Sequence, residues 1–109
     1  MTMKQRPEPL PKRDAKAALG ALARVLALLD DPAEVRSFLE DLCTPAELES
    51  MSDRWRVVPL LLENIPYREI HERTRVSVTT IGRVARTLGH GSGYAAAVRR
   101  SHPHLAHSH

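Results

Sequence analysis

The sequence predicts an all-α fold of about six short helices. Apolar residues recur three and four positions apart from Leu19 to Leu88, which is the spacing of one helix face. Hydrophobic residues make up 42% of the chain but aromatic residues only 4%, so the core must be aliphatic and alanine-rich, and such a composition favours helices. At 109 residues the chain has room for one small domain, and dimerisation would supply missing core.

The first two helices follow an N-terminal arm. Prolines among lysines and arginines predict that residues 1–13 form a disordered basic arm. A helix over about residues 14–29 comes next, and its single apolar stripe requires a partner surface. The stripe consists of Leu19, Leu22, Leu26 and Leu29. Asp31 followed by Pro32 is an N-cap with proline at the first helical position, so a second, shorter helix begins there.

A third helix is predicted to begin near Pro45. Thr44 and Glu47 stand three residues apart, which is the spacing of a capping box. Pro59 lies in the helix interior and is predicted to kink it, because proline removes a backbone hydrogen bond. The inner face of this helix is predicted to carry Leu48, Met51, Trp55, Val58 and Leu62.

Residues 67–88 have the pattern of a helix-turn-helix. Two short helical segments, about 67–74 and 78–88, are separated by a tight turn, and Ser77 is the N-cap of the second. Arg75 stands where many such turns place glycine at positive φ, and His71 replaces a small residue common in the first helix. The small core between the segments is predicted to contain Ile70, Val76, Ile81, Val84 and Leu88.

The outward side chains of this segment suit the major groove of DNA. Threonine hydroxyls and methyls can contact base edges, Gly82 permits close approach, and arginines can reach phosphate or guanine. The backbone N–H groups at the helix start add a positive dipole end for a phosphate. The predicted DNA-binding residues are Arg68, Arg75, Ser77, Val78, Thr79, Thr80, Gly82, Arg83 and Arg86.

The charge distribution places the basic surface on the same half of the chain. The formal charge is +3 over residues 1–13, −5 over 14–63 and +5 over 64–100. A basic surface of this kind suits phosphates, and it suits an acidic protein partner equally well. A helical protein-interaction module with a basic face and no specific DNA site is therefore the alternative function.

Four motifs in order resemble the Trp repressor superfamily, and most closely its branch of YerC/YecD-type helix-turn-helix regulators. The motifs are LCTPAE at 42–47, DRWRVV at 53–58, YREI at 67–70 and VTTIGR at 78–83. The resemblance covers roughly residues 15–98. It implies an intertwined homodimer whose two recognition helices, residues 78–88 in each chain, enter successive major grooves of double-stranded DNA. It also implies a role in transcription, as a repressor. The DNA contacts that it implies are Arg68, Ser77, Val78, Thr79, Thr80, Gly82 and Arg83.

The resemblance also bears on a small-molecule effector. Arg54 and Arg83 match two arginines that clamp tryptophan in the founding member, with Thr44 and Thr87 nearby. Val84 occupies a position that is glycine in the tryptophan-binding members, and its isopropyl group would take the space of the indole ring. These five residues are the candidate effector pocket, but neither tryptophan nor another cofactor is expected.

The remaining features indicate no other chemistry. Residues 14–100 are predicted to form the DNA-binding and dimerisation domain, and 101–109 a histidine-rich disordered tail. The histidines lack partners at metal-ligand spacing, and no catalytic motif is present, so neither a metal site nor an enzyme is expected. With one cysteine, Cys43, and no apolar run long enough for a membrane, a cytoplasmic, nucleoid-associated protein is expected.

Overall fold

Every regular element in residues 8–106, which the computed structural model describes, is an α-helix. This confirms the all-α prediction. The chain divides into two compact units between Leu42 and Cys43. The division falls inside the segment 14–100 that the sequence assigns to one domain.

The first unit contains helices α1 (Lys12–Leu28) and α2 (Pro32–Leu42). No residue of either helix is buried, and Leu19 and Leu28 are 66% and 81% exposed. Asp31 caps α2 as predicted, because its side chain accepts a hydrogen bond from the Ala33 N–H at 3.3 Å. Of the leucine stripe of α1, Leu22, Leu26 and Leu29 are half-buried, whereas Leu19 is mostly exposed.

Helix α3 (Pro45–Leu62) begins at the predicted capping box. The Glu47 N–H donates to Thr44 Oγ1 at 3.1 Å, and the Thr44 N–H donates to Glu47 Oε1 at 2.7 Å. Pro45 occupies the first turn, where its missing N–H costs nothing. The helix continues through Pro59, the predicted position of a kink, and ends three residues later.

The inner face of α3 differs in part from the prediction. Val58 and Leu62 are buried, and Leu48 and Trp55 are half-buried, but Met51 is 42% exposed. Val57, which the stripe did not include, is fully buried. The buried residues all lie in the second half of α3, which packs against both α4 and α5 and therefore needs a wider apolar face than one stripe.

The second unit continues with α4 (Tyr67–Thr74), α5 (Val78–Leu88), α6 (Ser92–Ser101) and α7 (Pro103–Ala106). Four of the five predicted helix-turn-helix core residues are buried, and Leu88 is half-buried against the same cluster. The buried cluster consists of Val57, Val58, Leu62, Ile70, Val76, Ile81, Val84, Val98 and Leu105.

The C-terminal residues depart from the predicted disordered tail over 101–109. Ser101 is the last residue of α6, and Pro103 begins α7 instead of ending the helical region. Leu105 is buried in the core cluster, which anchors α7. The ring of His102 lies 6.0 Å, centroid to centroid, from that of Trp55. His107 and His109 lie outside the described residues, as do residues 1–7 of the predicted arm, whereas Lys12 and Arg13 belong to α1.

Residues 8–106 contain neither a cluster of metal ligands nor a membrane-spanning helix. No group of three or more histidine, cysteine or carboxylate side chains in this range could hold a metal ion. No helix of this part is long and apolar enough to span a membrane.

The capping box of α3 makes a pH-dependent contribution to stability. The hydrogen bond from the Thr44 backbone N–H, followed by that with its hydroxyl, lowers the pKa of Glu47. A lowered pKa in the folded state gives stability that is fully present above the ordinary glutamate pKa. That stability is lost as the pH falls through the lowered value.

Glu47→Gln should remove this pH dependence while keeping the cap, since a neutral amide oxygen also accepts the Thr44 N–H. Chemical denaturation of both proteins over an acid pH series measures the effect. The wild type should lose more stability than the variant as Glu47 is protonated. Parallel stability curves for the two proteins would contradict this assignment.

Candidate nucleic-acid interface

Helices α4 and α5 pack against each other and against α3, and residues 75–77 join them. Arg75 has φ 66° and ψ 6°, which is the left-handed conformation. The sequence predicts it, because many such turns have glycine at this position. A residue with a Cβ is strained there, so the surrounding structure must hold it in place. The arrangement is a helix-turn-helix.

Side chains from the last turn of α4 bind the backbone of this turn. Thr74 Oγ1 donates to the Ile70 carbonyl at 2.7 Å and accepts from the Val76 N–H at 3.1 Å. The ring nitrogen Nδ1 of His71 lies 2.7 Å from the Val76 carbonyl oxygen. The Arg75 N–H donates to the His71 carbonyl at 2.8 Å. These contacts were not predicted from the sequence, although a threonine at the end of a short helix is a signal for such local bonding.

The start of α5 is capped by Ser77, as predicted. Ser77 has φ −65° and ψ 148°, and its Oγ accepts the Thr80 N–H at 3.1 Å. The Ser77 hydroxyl also donates to Thr80 Oγ1 at 3.0 Å. The hydroxyl proton of Ser77 is therefore used in a hydrogen bond within the first turn of α5. The hydroxyl proton of Thr80 remains available for donation to another molecule.

The outer face of α5 carries the predicted polar surface. Thr79, Arg83 and Arg86 are exposed, Val78 is 51% exposed, and the half-buried Gly82 lies among them in sequence. Ile81 and Val84 point into the core from the opposite face. Arg68 of α4 and Arg75 of the turn are also exposed.

Tyr67 is a neighbour of this surface that the sequence did not indicate. A Cβ atom added to Gly82 would lie 3.8 Å from Tyr67 Cε2, an ordinary van der Waals distance. The tyrosine ring therefore flanks α5 at the position where the sequence predicts close approach. Tyr67 itself is 43% exposed.

The positive charge of this region is largely uncompensated. Arg73 forms an ion pair with Glu69 on α4. Among the described residues, Arg68, Arg75, Arg83 and Arg86 form no ion pair. These four guanidinium groups remain available to phosphate or to base edges.

The candidate effector residues do not line a cavity of about 1050 Å³ that lies in the second unit. Residues of all five helices of this unit, α3 to α7, border this cavity, including Leu61, Leu88 and Val98. None of the five candidates borders it: Thr44, Arg54, Arg83, Val84 and Thr87.

Each candidate effector residue has a different environment. The Thr44 hydroxyl is engaged in the α3 cap, and Arg54 is half-buried on α3. Arg83 is exposed, and the Thr87 hydroxyl donates to its carbonyl at 3.3 Å. Val84 is 1% exposed, and its isopropyl group is part of the core cluster. The branched side chain at this position thus fills space inside the domain.

Comparison with known proteins identifies the family. The sequence model of the family described as Trp repressor protein matches residues 17–102, which extend from α1 to the end of α6. The chain belongs to the Trp repressor family. This confirms the resemblance found in the sequence, and it assigns the helix-turn-helix to a family of DNA-binding regulators.

One curated relative of this Trp repressor family member is the uncharacterised protein YerC of Bacillus subtilis (strain 168). The two are 36% identical over 74 residues, which are 68% of this chain and 71% of YerC. No solved structure gives a significant match. The branch within the family is therefore the YerC type, as the sequence indicates.

Thr74→Val tests whether the hydrogen bond from the Val76 N–H to Thr74 stabilises the turn. Valine keeps the shape of threonine but leaves the buried Val76 N–H without its partner, so the free energy of unfolding should fall by about 1–3 kcal/mol. Thr87→Val, at an exposed hydroxyl that donates only to the Arg83 carbonyl, is the matched control, with an expected change within about 0.5 kcal/mol. Equal losses in chemical denaturation would rule out a special role for Thr74.

Proposed function

We propose that this protein is a sequence-specific DNA-binding transcriptional regulator that represses by occupying promoters. The observation that carries the proposal is that α5 has one apolar face in the core and one exposed face. Ile81 and Val84 hold its inner face in the core, while Val78, Thr79 and Arg83 on the outer face are free to meet another molecule. Membership of the Trp repressor family supports DNA as that molecule.

In this proposal α5 enters the major groove with its N-terminal turns towards the bases. Thr79 and Thr80 contact base edges and set sequence preference, and Val78 contacts a thymine methyl. The arginines bind phosphates, which sets affinity and orientation; they are Arg68, Arg75, Arg83 and Arg86. Ser77 places the backbone N–H groups of the helix start towards a further phosphate.

We also propose that the protein acts as a homodimer on a near-palindromic site. The first unit supports this, since its two amphipathic helices bury no residue within a single chain. The exposed leucines of these helices are unfavourable in water, and a second copy with the same apolar surface would cover them; they are Leu19, Leu28 and Leu42. A cytoplasmic, nucleoid-associated location follows from the proposed DNA partner.

Tryptophan is not an effector in this proposal. The Val84 side chain is packed in the core, and accommodating an indole ring beside it would require repacking of Ile81 and its neighbours. The cap that engages Thr44 also removes one hydroxyl from the candidate pocket.

Arg83→Ala should weaken binding to a selected DNA site by about tenfold or more and reduce the salt slope by about 1. Fluorescence anisotropy over a salt series measures both, on sites obtained by selection from genomic fragments. Arg36→Ala is the control, because Arg36 lies on α2 and pairs only with the exposed Glu40 at 3.4 Å. The mass of the bound species should correspond to two chains for each site.

One result of the binding experiment would contradict the proposed function. If the purified wild-type protein binds no fragment better than random DNA at moderate salt, sequence-specific regulation is wrong. Binding of an acidic protein partner through the same arginines would then favour the interaction module.

Isothermal titration calorimetry tests the effector proposal. Titration of tryptophan into the protein, with and without its DNA site, should give no binding heat, and the affinity for DNA should not change. Micromolar, stoichiometric binding would contradict the proposal. Denatured protein is the control for heat that does not depend on the fold.

A further inference from the structure

We infer that His71 is a positioning residue for DNA recognition: its Nδ1–H donates to the Val76 carbonyl and fixes the direction in which α5 leaves the turn. This inference rests on the proposed DNA-binding function and adds to it a residue outside the recognition helix. His71 itself makes no contact with DNA. It acts through Val76 and Ser77.

The two backbone groups of Val76 are both bound by side chains of α4. The N–H donates to Thr74 Oγ1 at 3.1 Å, and the carbonyl accepts from His71 at 2.7 Å. Val76 is only 3% exposed, so water cannot readily replace either partner. Its position relative to α4 is thereby fixed at two points.

The next residue transmits this constraint to the recognition helix. Ser77 is the N-cap of α5, and its carbonyl accepts the first helical hydrogen bond, from the Ile81 N–H at 3.0 Å. Arg75 precedes Val76 in the chain and has a φ of 66°. This left-handed conformation is unfavourable for any residue with a Cβ. A glycine at position 75 would adopt this conformation without strain and would need less restraint. With Arg75 in its place, the side-chain hydrogen bonds to Val76 supply that restraint.

The chemistry of the contact determines the state of the imidazole. A carbonyl oxygen only accepts, so Nδ1 must carry the hydrogen. In the neutral ring, Nε2 is then the unprotonated nitrogen. This is a definite tautomer, and ¹⁵N chemical shifts of the ring distinguish it from the alternative.

His71 and Thr74 differ in what their loss should do. Thr74 is buried and bonds within α4 as well, so its removal affects folding. His71 is half-buried, and within residues 8–106 its side chain makes one hydrogen bond, to the turn. Loss of that bond leaves the buried Val76 carbonyl without its partner and allows α5 to adopt other directions, which reduces the fraction of protein competent to bind.

The experiment compares His71→Leu, which keeps bulk without a donor, with His71→Asn, whose side-chain amide can donate from about the position of Nδ1. His90→Leu is the matched control, at an exposed histidine whose side chain makes no hydrogen bond within the described part of the chain. Affinity for the selected DNA site is measured over a salt series, and folding by circular dichroism. ¹⁵N spectra of the wild type report the tautomer, and hydrogen exchange reports protection of the turn amides.

His71→Leu should bind about fivefold more weakly with an unchanged salt slope, because the number of phosphate contacts stays the same. His71→Asn should restore most of the affinity, His90→Leu should bind as the wild type does, and the wild-type ring should be protonated at Nδ1. A reduced salt slope in His71→Leu would overturn the inference in favour of a direct phosphate contact. Unchanged affinity in His71→Leu, or an Nε2–H tautomer, would also overturn it.

Failure of the proposed function is distinguishable from failure of this inference. If the wild type binds no specific site, the function is wrong, whereas the ring tautomer still tests the hydrogen bond from His71 to the Val76 carbonyl. If His71→Leu does not fold, the tautomer and the His71→Asn affinity decide.

Discussion

The burial of Ile70 and Ile81 against Val57 is the contact on which the second unit depends. These three side chains are fully excluded from solvent, and they come from α4, α5 and α3 respectively. Because packed interiors resist deformation, this contact fixes the distance between the three helices. The exposed half of α5 is consequently presented on a rigid support, as a surface that reads another molecule requires.

The sequence was sufficient for helices α1 to α5 and for most of this core. Strong local signals, such as the capping box at Thr44 and the N-cap at Ser77, are decided within a few residues and were confirmed. The apolar periodicity of residues 67–88 likewise identified Ile70, Val76, Ile81 and Val84 as buried. The predicted site residues lie where the helical period puts them, with arginines outside, but their DNA contacts remain predictions.

What the sequence did not predict depends on neighbours distant in the chain. Val57 is buried and Met51 exposed because α3 meets two helices along its second half only, which no single stripe reveals. Leu105 is ordered by packing onto a cluster whose other members lie up to 48 positions earlier, so a histidine-rich composition was a poor guide to α7. The bonds from His71 and Thr74 to Val76 depend on a turn conformation that is set only when α4 and α5 pack together.

The contact between Trp55 and His102 gives this protein a natural optical reporter. Trp55 is the only tryptophan of the chain, it is half-buried, and its ring has an imidazole from the α6–α7 junction as a neighbour at 6.0 Å. Its fluorescence therefore reports the environment of one defined place, where the end of the second unit meets α3. Detachment of α7 can thus be followed without any added label, and separately from events at the turn between α4 and α5.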